Sequence, residues 1–548
     1  MGDETSRRSR RPTTAHVRLA VVLVHTAWRS APDKPGEGVA TQVIGRNILA
    51  NALGGSWFAI LTIFIIPIQI KILGVDAYGL LAFIASLQII FSIFDLGLSP
   101  TIAREVATDN SPDLQHSRDL IQTLSFGYAA IGLLLGGALA LGAGWLVTHW
   151  LNLGALPVDT AKRALQLGGL ALMIRWPVSF LAGVIIGRGR FGILNLLKAA
   201  SATLALFGGA LVILASGNLV VFAAWVALAA LVEVTLYLVV CYRLIPNLSL
   251  RPRVSRPALV QIRRYVLSVS VIGVLGIALS QTDRLLLSTL VPIEILGYYS
   301  LAFTLLSGLT LVQGFFTSAL LPSFATTFAQ DATERLASDH NRATQGLVYV
   351  CTLPVAALTF FGEPLLGLWT SAETAAQAAR ILFVLAPGFL LNVSVAIPYT
   401  LALATGHTSI IIRVYSMAFI VYLPMLYFAI VHWGGVGAAI VWLLLNISYL
   451  FSLVPLVLNR IVGQTPRYWV GRNLLPFLAL GTLVFGVALA VQETLEWRGP
   501  FAIVVVCAVA SLAYCLLGLR LLDPALRNGL WLLLKSLISL LRGVVELR

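Results

Sequence analysis

Charge is the scarcest commodity in this chain. Only 11% of its 548 residues are Asp, Glu, Lys or Arg, whereas a soluble globular protein carries about 25%. A water-facing surface for so long a chain cannot be assembled from so few, so the three or four soluble domains that length alone suggests are excluded. Cysteine is scarce as well. Cys241, Cys351, Cys507 and Cys515 lie inside or at the edge of apolar runs without CxxC spacing, so neither a disulfide framework nor a metal site is indicated. The seven histidines form no HxxxH pair, and no metal-ligand cluster is expected. Walker A, GxSxG and paired-carboxylate arrangements are missing too, so neither ATP hydrolysis, another enzymatic role nor a cofactor is expected. Long loops are also lacking. The longest inter-helix segments are 103–119, 242–264 and 322–345 on one side and 148–163 on the other.

What the chain has instead is apolar sequence. Hydrophobic residues make up 58%, in runs of about twenty that match the thickness of a bilayer's hydrocarbon core. The expected fold is an all-α polytopic membrane protein with about fourteen transmembrane spans. They fall near 47–70, 78–102, 120–147, 164–187, 196–216, 219–241, 265–290, 296–321, 346–369, 380–404, 409–431, 436–458, 474–491 and 500–522, numbered here as spans 1 to 14. Cytoplasmic loops retain Lys and Arg. With both termini cytoplasmic, the outer side keeps only Lys71, Lys162, Arg163, Arg380 and Arg498 of the 37 basic residues. The net charge of +14 is thus spread over many short inner loops and points to no nucleic-acid partner.

The ends have their own character. Residues 1–46, with Arg7, Arg8, Arg10 and Arg11 and then Pro32 and Pro35, read as a basic, disordered cytoplasmic tail rather than a signal peptide. Residues 525–548 place Lys535, Ser539, Arg542 and Glu546 on one helical face with leucines around the rest. That pattern fits an amphipathic helix lying in the membrane interface.

An internal repeat organises the middle. Asp76-Ala-Tyr-Gly79 follows span 1 and Glu294-Ile-Leu-Gly297 follows span 7, and the same shift carries Asp95 onto Gln313. Six spans separate the copies, so both have one orientation, as in a parallel repeat about an axis along the membrane normal. The expected domains are an N-lobe (47–241), a basic linker (242–264), a C-lobe (265–458) and two further spans (474–522). A central cavity between the lobes is where such folds hold substrate.

Buried charges nominate the site. Ionisable residues near a span's centre cost about 2.5–3.5 kcal/mol on insertion scales and are kept where they face a cavity or a partner. Five qualify: Asp95, Arg175, Glu233, Asp283 and Arg284. Arg175 precedes Pro177, cannot lose its proton, and needs either an anionic substrate or an ion pair with Glu233 or Asp95; both readings stand open. Adjacent Asp283 and Arg284 point about 100° apart on a helix, so one can line a cavity while the other binds a neighbouring helix. Gly187-Arg-Gly-Arg-Phe-Gly192 fits GxGxxG but follows a membrane span, not a strand, and reads as a tight turn. Gly132 and Gly136 make a close-packing face.

Arg46-Asn-Ile-Leu-Ala-Asn51, Lys71-Ile-Leu-Gly-Val-Asp-Ala-Tyr-Gly79, Asp95-Leu-Gly-Leu98, Asp283-Arg-Leu-Leu-Leu287 and Leu296-Gly-Tyr-Tyr299 resemble the polysaccharide transporters. These are the Wzx-like O-antigen flippases, related to multidrug and toxin extrusion transporters. The resemblance covers about 46–460, with spans 13 and 14 matching longer members, and the long basic start departs from it. It implies movement of an undecaprenyl-pyrophosphate-linked oligosaccharide from the inner to the outer leaflet of the bacterial cell membrane for cell-surface polysaccharide assembly, by alternating access. Expected partners are that lipid-linked glycan, membrane lipids, H+ or Na+ as a coupling ion, and other polysaccharide-assembly proteins. Under this reading Arg175 and Arg284 attract pyrophosphate or acidic sugars, while Asp95, Glu233 and Asp283 hydrogen-bond glycan or carry coupling protons. The alternative is a cation-coupled exporter of drugs or small molecules on the same scaffold. A membrane glycosyltransferase is disfavoured by the short, nearly uncharged outer loops.

Overall fold

A computed structural model describes residues 57–529 and Trp531, apart from Leu96, Asn110, Pro112, Asp113, Pro246, 249–255 and Arg498, with backbone only for His116 and 256–270. The expected basic tail 1–46, part of the linker and the amphipathic helix beyond Trp531 lie outside the described residues. Gly54–Leu521 forms one compact unit.

Among the described residues every regular element is a helix. Twelve are long and apolar enough to cross a bilayer. A shorter apolar helix, Trp57–Leu73, precedes them, and the longest is divided at Gly434, whose φ of 56° and ψ of −133° are non-helical. Counting these two features gives the fourteen spans read from the apolar runs. The chain is a multi-pass membrane protein.

Local sequence explains where spans start and break. Asn218 opens Leu219–Leu244 by accepting the Val220 amide at 2.8 Å, a side-chain cap on an otherwise orphaned donor. Span 2 was expected as one helix. It is instead Val75–Phe91, a 3-10 turn over Ser92–Asp95, and a separate helix Leu98–Thr108. Gly97, at φ 77°, makes the break in the left-handed region that glycine enters without penalty. Span 4 breaks similarly, into Val158–Arg175 and Val178–Gly187 around Pro177. Span 9 starts far ahead of its apolar core, at Thr333. Two amide side chains of its polar first turns are paired: Asn473 Nδ2 donates to Asn341 Oδ1 at 2.8 Å, and Gln345 Nε2 donates to Asn473 Oδ1 at 3.1 Å. Span 7 likewise begins at Arg256, inside the expected linker.

Glycines set how closely spans approach. A Cβ on Gly136 would stand 2.5 Å from the Gly169 carbonyl oxygen, and one on Gly169 would stand 2.6 Å from that of Gly136. Spans 3 and 4 therefore touch backbone to backbone, as small residues allow in lipid, where packing rather than water drives association. Gly136→Val is expected to cost about 1–3 kcal/mol through overpacking and to lower the melting temperature of the detergent-solubilised protein. An unchanged melt would contradict the close contact.

The repeat is visible as a reciprocal contact. A Cβ on Gly79 would run into Ile293, and one on Gly297 would lie 2.6 Å from Val75 Cγ1 and from its carbonyl oxygen. Val75 and Ile293, like Gly79 and Gly297, are partners under the repeat's shift. Residue i meets j' while j meets i', as at a twofold interface. Two six-span lobes are thus related by an axis along the spans. At the same end of the bundle a loop of the first lobe is sewn to the second. Ile293 N donates to the Asn152 carbonyl at 2.7 Å, Asn152 N donates to the Ser288 carbonyl at 3.2 Å, and Trp150 Nε1 donates to Ser288 Oγ at 3.1 Å.

Spans 13 and 14 pack against span 9. Tyr349 OH donates to the Cys515 carbonyl at 2.8 Å, and Tyr514 OH donates to the Tyr349 carbonyl at 3.0 Å. Phe361 meets Phe485 edge-on at 6.3 Å. Both added spans therefore extend the second lobe.

Candidate functional site: membrane-embedded charges beside an aromatic cavity

The five nominated residues do not form one cluster. They divide into a pair, a carboxylate cage and a neighbouring acid and base. Arg175 and Glu233 make the pair. Arg175 Nε lies 2.8 Å from Glu233 Oε2, and Nη2 donates to Oε1 at 3.5 Å. Proline at 177 ends the helix that carries Arg175 and brings it beside span 6. Glu233 is 9% exposed at its side chain but Arg175 55%, so one edge of the guanidinium stays open while the carboxylate is enclosed.

Asp95 sits at the break in span 2 and is held by hydroxyls. Ser99 Oγ donates to its Oδ1 at 2.7 Å, the Ser99 amide reaches Oδ2 at 3.4 Å, and Tyr128 OH donates from span 3. Ser179 from span 4 is at 3.5 Å. Three spans thus converge on one carboxylate in the first lobe.

In the second lobe Asp283 and Arg284 separate as helix geometry requires. Asp283 is 0% exposed. It takes a proton donor from Tyr299 OH and the Arg284 amide at 2.8 Å. Its carboxylate stays within the lobe's packing, where it fixes span 7 to span 8. Arg284 faces elsewhere. Its Nη1 donates to Gln281 Oε1 at 2.9 Å, one turn earlier, and its guanidinium carbon lies 4.1 Å from the Phe303 ring centroid. Among the described residues no carboxylate lies within ion-pair distance of Arg284.

Gln281 and Phe303, the two groups that hold Arg284, line a cavity of about 290 Å³. Its walls come from spans 7, 8, 10, 11 and 12. Polar lining is supplied by Ser280, Ser307, Thr310 and Asn392, and aromatic lining by Phe389, Tyr415, Trp442 and Tyr449. Phe303 meets Phe389 edge-on at 4.8 Å, and Tyr415 stacks on Tyr449 at 5.3 Å. Hydroxyls and amides beside aromatic faces suit a polar ligand with apolar edges. The nomination from charge did not include the aromatics or Gln281, because a lining Phe and a lipid-facing Phe look alike in an apolar run. Tyr128 and Tyr299 were missed for the same reason. Among the described residues no group of His, Cys, Asp and Glu is arranged to hold a metal ion.

Comparison with known proteins bears on what this arrangement serves. A family model described as "Polysaccharide biosynthesis protein" matches residues 44–328, more than half the chain. The chain belongs to that polysaccharide biosynthesis family. It is 21% identical over 402 residues to a Shigella flexneri protein described as "Putative O-antigen transporter", covering 72% of this chain and 93% of the relative. Among solved structures it is similar to a lipid II flippase, MurJ, in an inward closed conformation. The TM-score is 0.65 at 12% identity, covering 86% of this chain and 99% of the other. An inward-facing multidrug resistance transporter of the MATE family is similar at a TM-score of 0.59 and 14% identity, covering 81% and 98%. Such identities establish a shared fold: the two-lobed helical architecture of this family member is that of MurJ and of MATE transporters. The family match spans the first lobe and reaches through span 8, so it contains Asp95, Arg175, Glu233, Asp283 and Arg284.

Whether Arg175 serves the fold or a ligand is open to a direct test. Breaking a buried ion pair costs about 3–5 kcal/mol, but with one partner half exposed about 1–2 kcal/mol is expected. Glu233→Gln is therefore expected to lower the melting temperature modestly. The charge-swapped double variant Arg175→Glu, Glu233→Arg separates the roles: restored stability without restored transport assigns Arg175 to the ligand, and restoration of both assigns it to the fold.

Proposed function

We propose that this protein is a flippase that carries an undecaprenyl-pyrophosphate-linked oligosaccharide from the inner to the outer leaflet of the bacterial cell membrane, for assembly of a cell-surface polysaccharide. The observation that carries this reading is Arg284. A guanidinium at membrane depth keeps its charge, and this one stands beside a polar and aromatic cavity without a carboxylate partner among the described residues. A phosphate-bearing ligand would complete it with charge-assisted hydrogen bonds. The aromatic faces suit sugar rings, and the polyprenyl chain need never leave lipid. Family membership and the O-antigen transporter named among its relatives support the same substrate class. A cationic drug, the cargo of the alternative exporter, would be repelled by Arg284 and by the open edge of Arg175.

The charge distribution of the loops supports cytoplasmic termini, which puts the glycine crossing of Gly79 and Gly297 and the Asn152–Ser288 stitch at the outer face. In this orientation the lobes are joined on the outside, and substrate enters from the inner side. Asp95 and Asp283, each held by a tyrosine hydroxyl, are the groups we assign to proton or sodium coupling, one in each lobe. The protein acts as a transporter, without covalent chemistry of its own.

The test is a strain lacking this gene with glycan synthesis intact. The flippase reading expects polyprenyl-pyrophosphate-linked oligosaccharide to accumulate on the inner leaflet and the wild-type gene to relieve it. Heightened sensitivity to cationic drugs without accumulation would transfer the assignment to the exporter.

A further inference from the structure

A second concavity, of about 320 Å³, lies between spans 11 and 12. Its lining is overwhelmingly apolar: Met417, Val421, Met425, Leu444 and Leu456. Met417 and Val421 are more than half exposed, so it is a groove open to the bilayer. One charged residue departs from the apolar lining. Arg413 stands at one end, near the start of the helix Thr408–Phe451, and among the described residues its guanidinium has no hydrogen-bond or ion-pair partner. Tyr422, 1% exposed, also borders it, but its hydroxyl is enclosed on the interior side, toward Asp283 and Tyr299. A cation without a protein partner at the end of an apolar, lipid-facing trough attracts an anionic headgroup.

We propose that this groove seats a membrane phospholipid with a compact anionic headgroup, its phosphate on Arg413 and an acyl chain over Met417, Val421 and Met425. Charge complementarity selects an anionic over a zwitterionic headgroup. The remaining lining selects against a glycan. Apart from Arg413 and Tyr422, its polar lining is limited to the Ser448 and Ser452 hydroxyls, which donate to the carbonyls of Leu445 and Ser448, both at 2.7 Å, too few groups to hold a sugar. The seat is therefore distinct from the transport cavity, but only narrowly separated from it, since Leu445 lines both. A lipid pressed against that wall supports the cavity from outside. The orientation proposed above places Arg413 at the inner leaflet, and that placement alone rests on the earlier reading.

The experiment is native mass spectrometry of the full-length protein in mild detergent with equal amounts of phosphatidylglycerol and phosphatidylethanolamine. Wild type is expected to retain phosphatidylglycerol preferentially. Arg413→Gln is expected to weaken that retention about tenfold, as loss of one charge-assisted contact would, with an unchanged melting temperature in detergent because Arg413 is exposed. Val421→Trp, at a lipid-facing position, fills the trough and is expected to remove the retained lipid of either kind. Equal retention of the two lipids, or a preference that survives Arg413→Gln, overturns the proposal. Displacement of phosphatidylglycerol by undecaprenyl phosphate, dependent on Arg413, would reassign the seat to the carrier lipid and defeat the phospholipid assignment. The readout is lipid retention without transport, so failure of the flippase reading would not be mistaken for failure of this one.

Discussion

Arg284→Gln is expected to weaken binding of the pyrophosphate-linked substrate about ten- to a hundredfold, the worth of one or two hydrogen bonds to a charged group. Transport should fall with it, while the protein still folds. The folding half follows from the surroundings of Arg284: among the described residues it makes no ion pair that its removal would strand, and the neighbouring Asp283 keeps its bonds from Tyr299 OH and the residue-284 amide. Arg284→Lys should rescue only part of the loss, because an ammonium loses the planar fork that grips phosphate bidentately and the flat face that lies 4.1 Å from the Phe303 centroid. Phe303→Leu separates these two contributions, since it removes the ring and keeps the charge. Isothermal binding to a short-chain polyprenyl-pyrophosphate glycan would measure all three. Wild-type affinity in Arg284→Gln would remove the guanidinium from the substrate site.

Locking the outer seam is expected to have a larger effect still. Asn152 and Ser288 belong to different lobes and are joined by a backbone hydrogen bond of 3.2 Å. Cysteines at both positions lie within reach of a short reducible bifunctional thiol reagent. The native Cys241 and Cys351 are buried, and Cys507 and Cys515 are replaced by serine to remove competing thiols. If the lobes rock about the Gly79–Gly297 crossing, linking these residues should abolish transport, and reduction should restore it. Asn152→Cys or Ser288→Cys alone, treated identically, should transport as before. Undiminished transport with the link intact would mean the seam never opens, and alternating access at this end would have to be abandoned.

The fold was legible in the sequence because hydrocarbon thickness imposes a length on every span. Runs near twenty residues therefore carry the count even where two spans are joined by a single kinked residue and no loop, as at Gly434. The repeat could be read from two short loops because the contact they make demands glycine at both positions: any side chain at 79 or 297 would strike the other lobe. Breaks inside spans were harder. Asp95-Leu-Gly-Leu98 is apolar enough to pass for helix, and only Gly97 in the left-handed region, with Ser99 and Tyr128 holding Asp95, shows the chain unwinding there. The start of span 9 was hidden differently. Asn341 and Gln345 look unsuited to a membrane helix until Asn473, more than a hundred residues later, satisfies them.

The candidate site was legible in its charges and not in their surroundings. Placing an ionisable residue in an apolar run marks it as costly, but sequence does not say which way it faces. Asp283 and Arg284 show the limit: adjacent, both charged, one wholly enclosed and one beside the cavity. Arg175 and Glu233, with one span between them, were a nameable pair whose meeting depended on how span 4 bends at Pro177. The aromatic lining was invisible, since Phe303, Phe389 and Trp442 lie in apolar runs where aromatic residues also face lipid.

Proteoliposomes provide the most direct test of the central claim. Purified protein would be reconstituted with a fluorescent polyprenyl-pyrophosphate oligosaccharide, and an impermeant lectin or glycosidase added outside would report the fraction of glycan exposed. Protein that flips the substrate is expected to render the inner pool accessible over time, with the rate falling in Arg284→Gln and vanishing when Asn152→Cys and Ser288→Cys are linked. An inner pool that stays protected in wild-type vesicles, while the same protein carries a cationic dye across the membrane, would contradict the account.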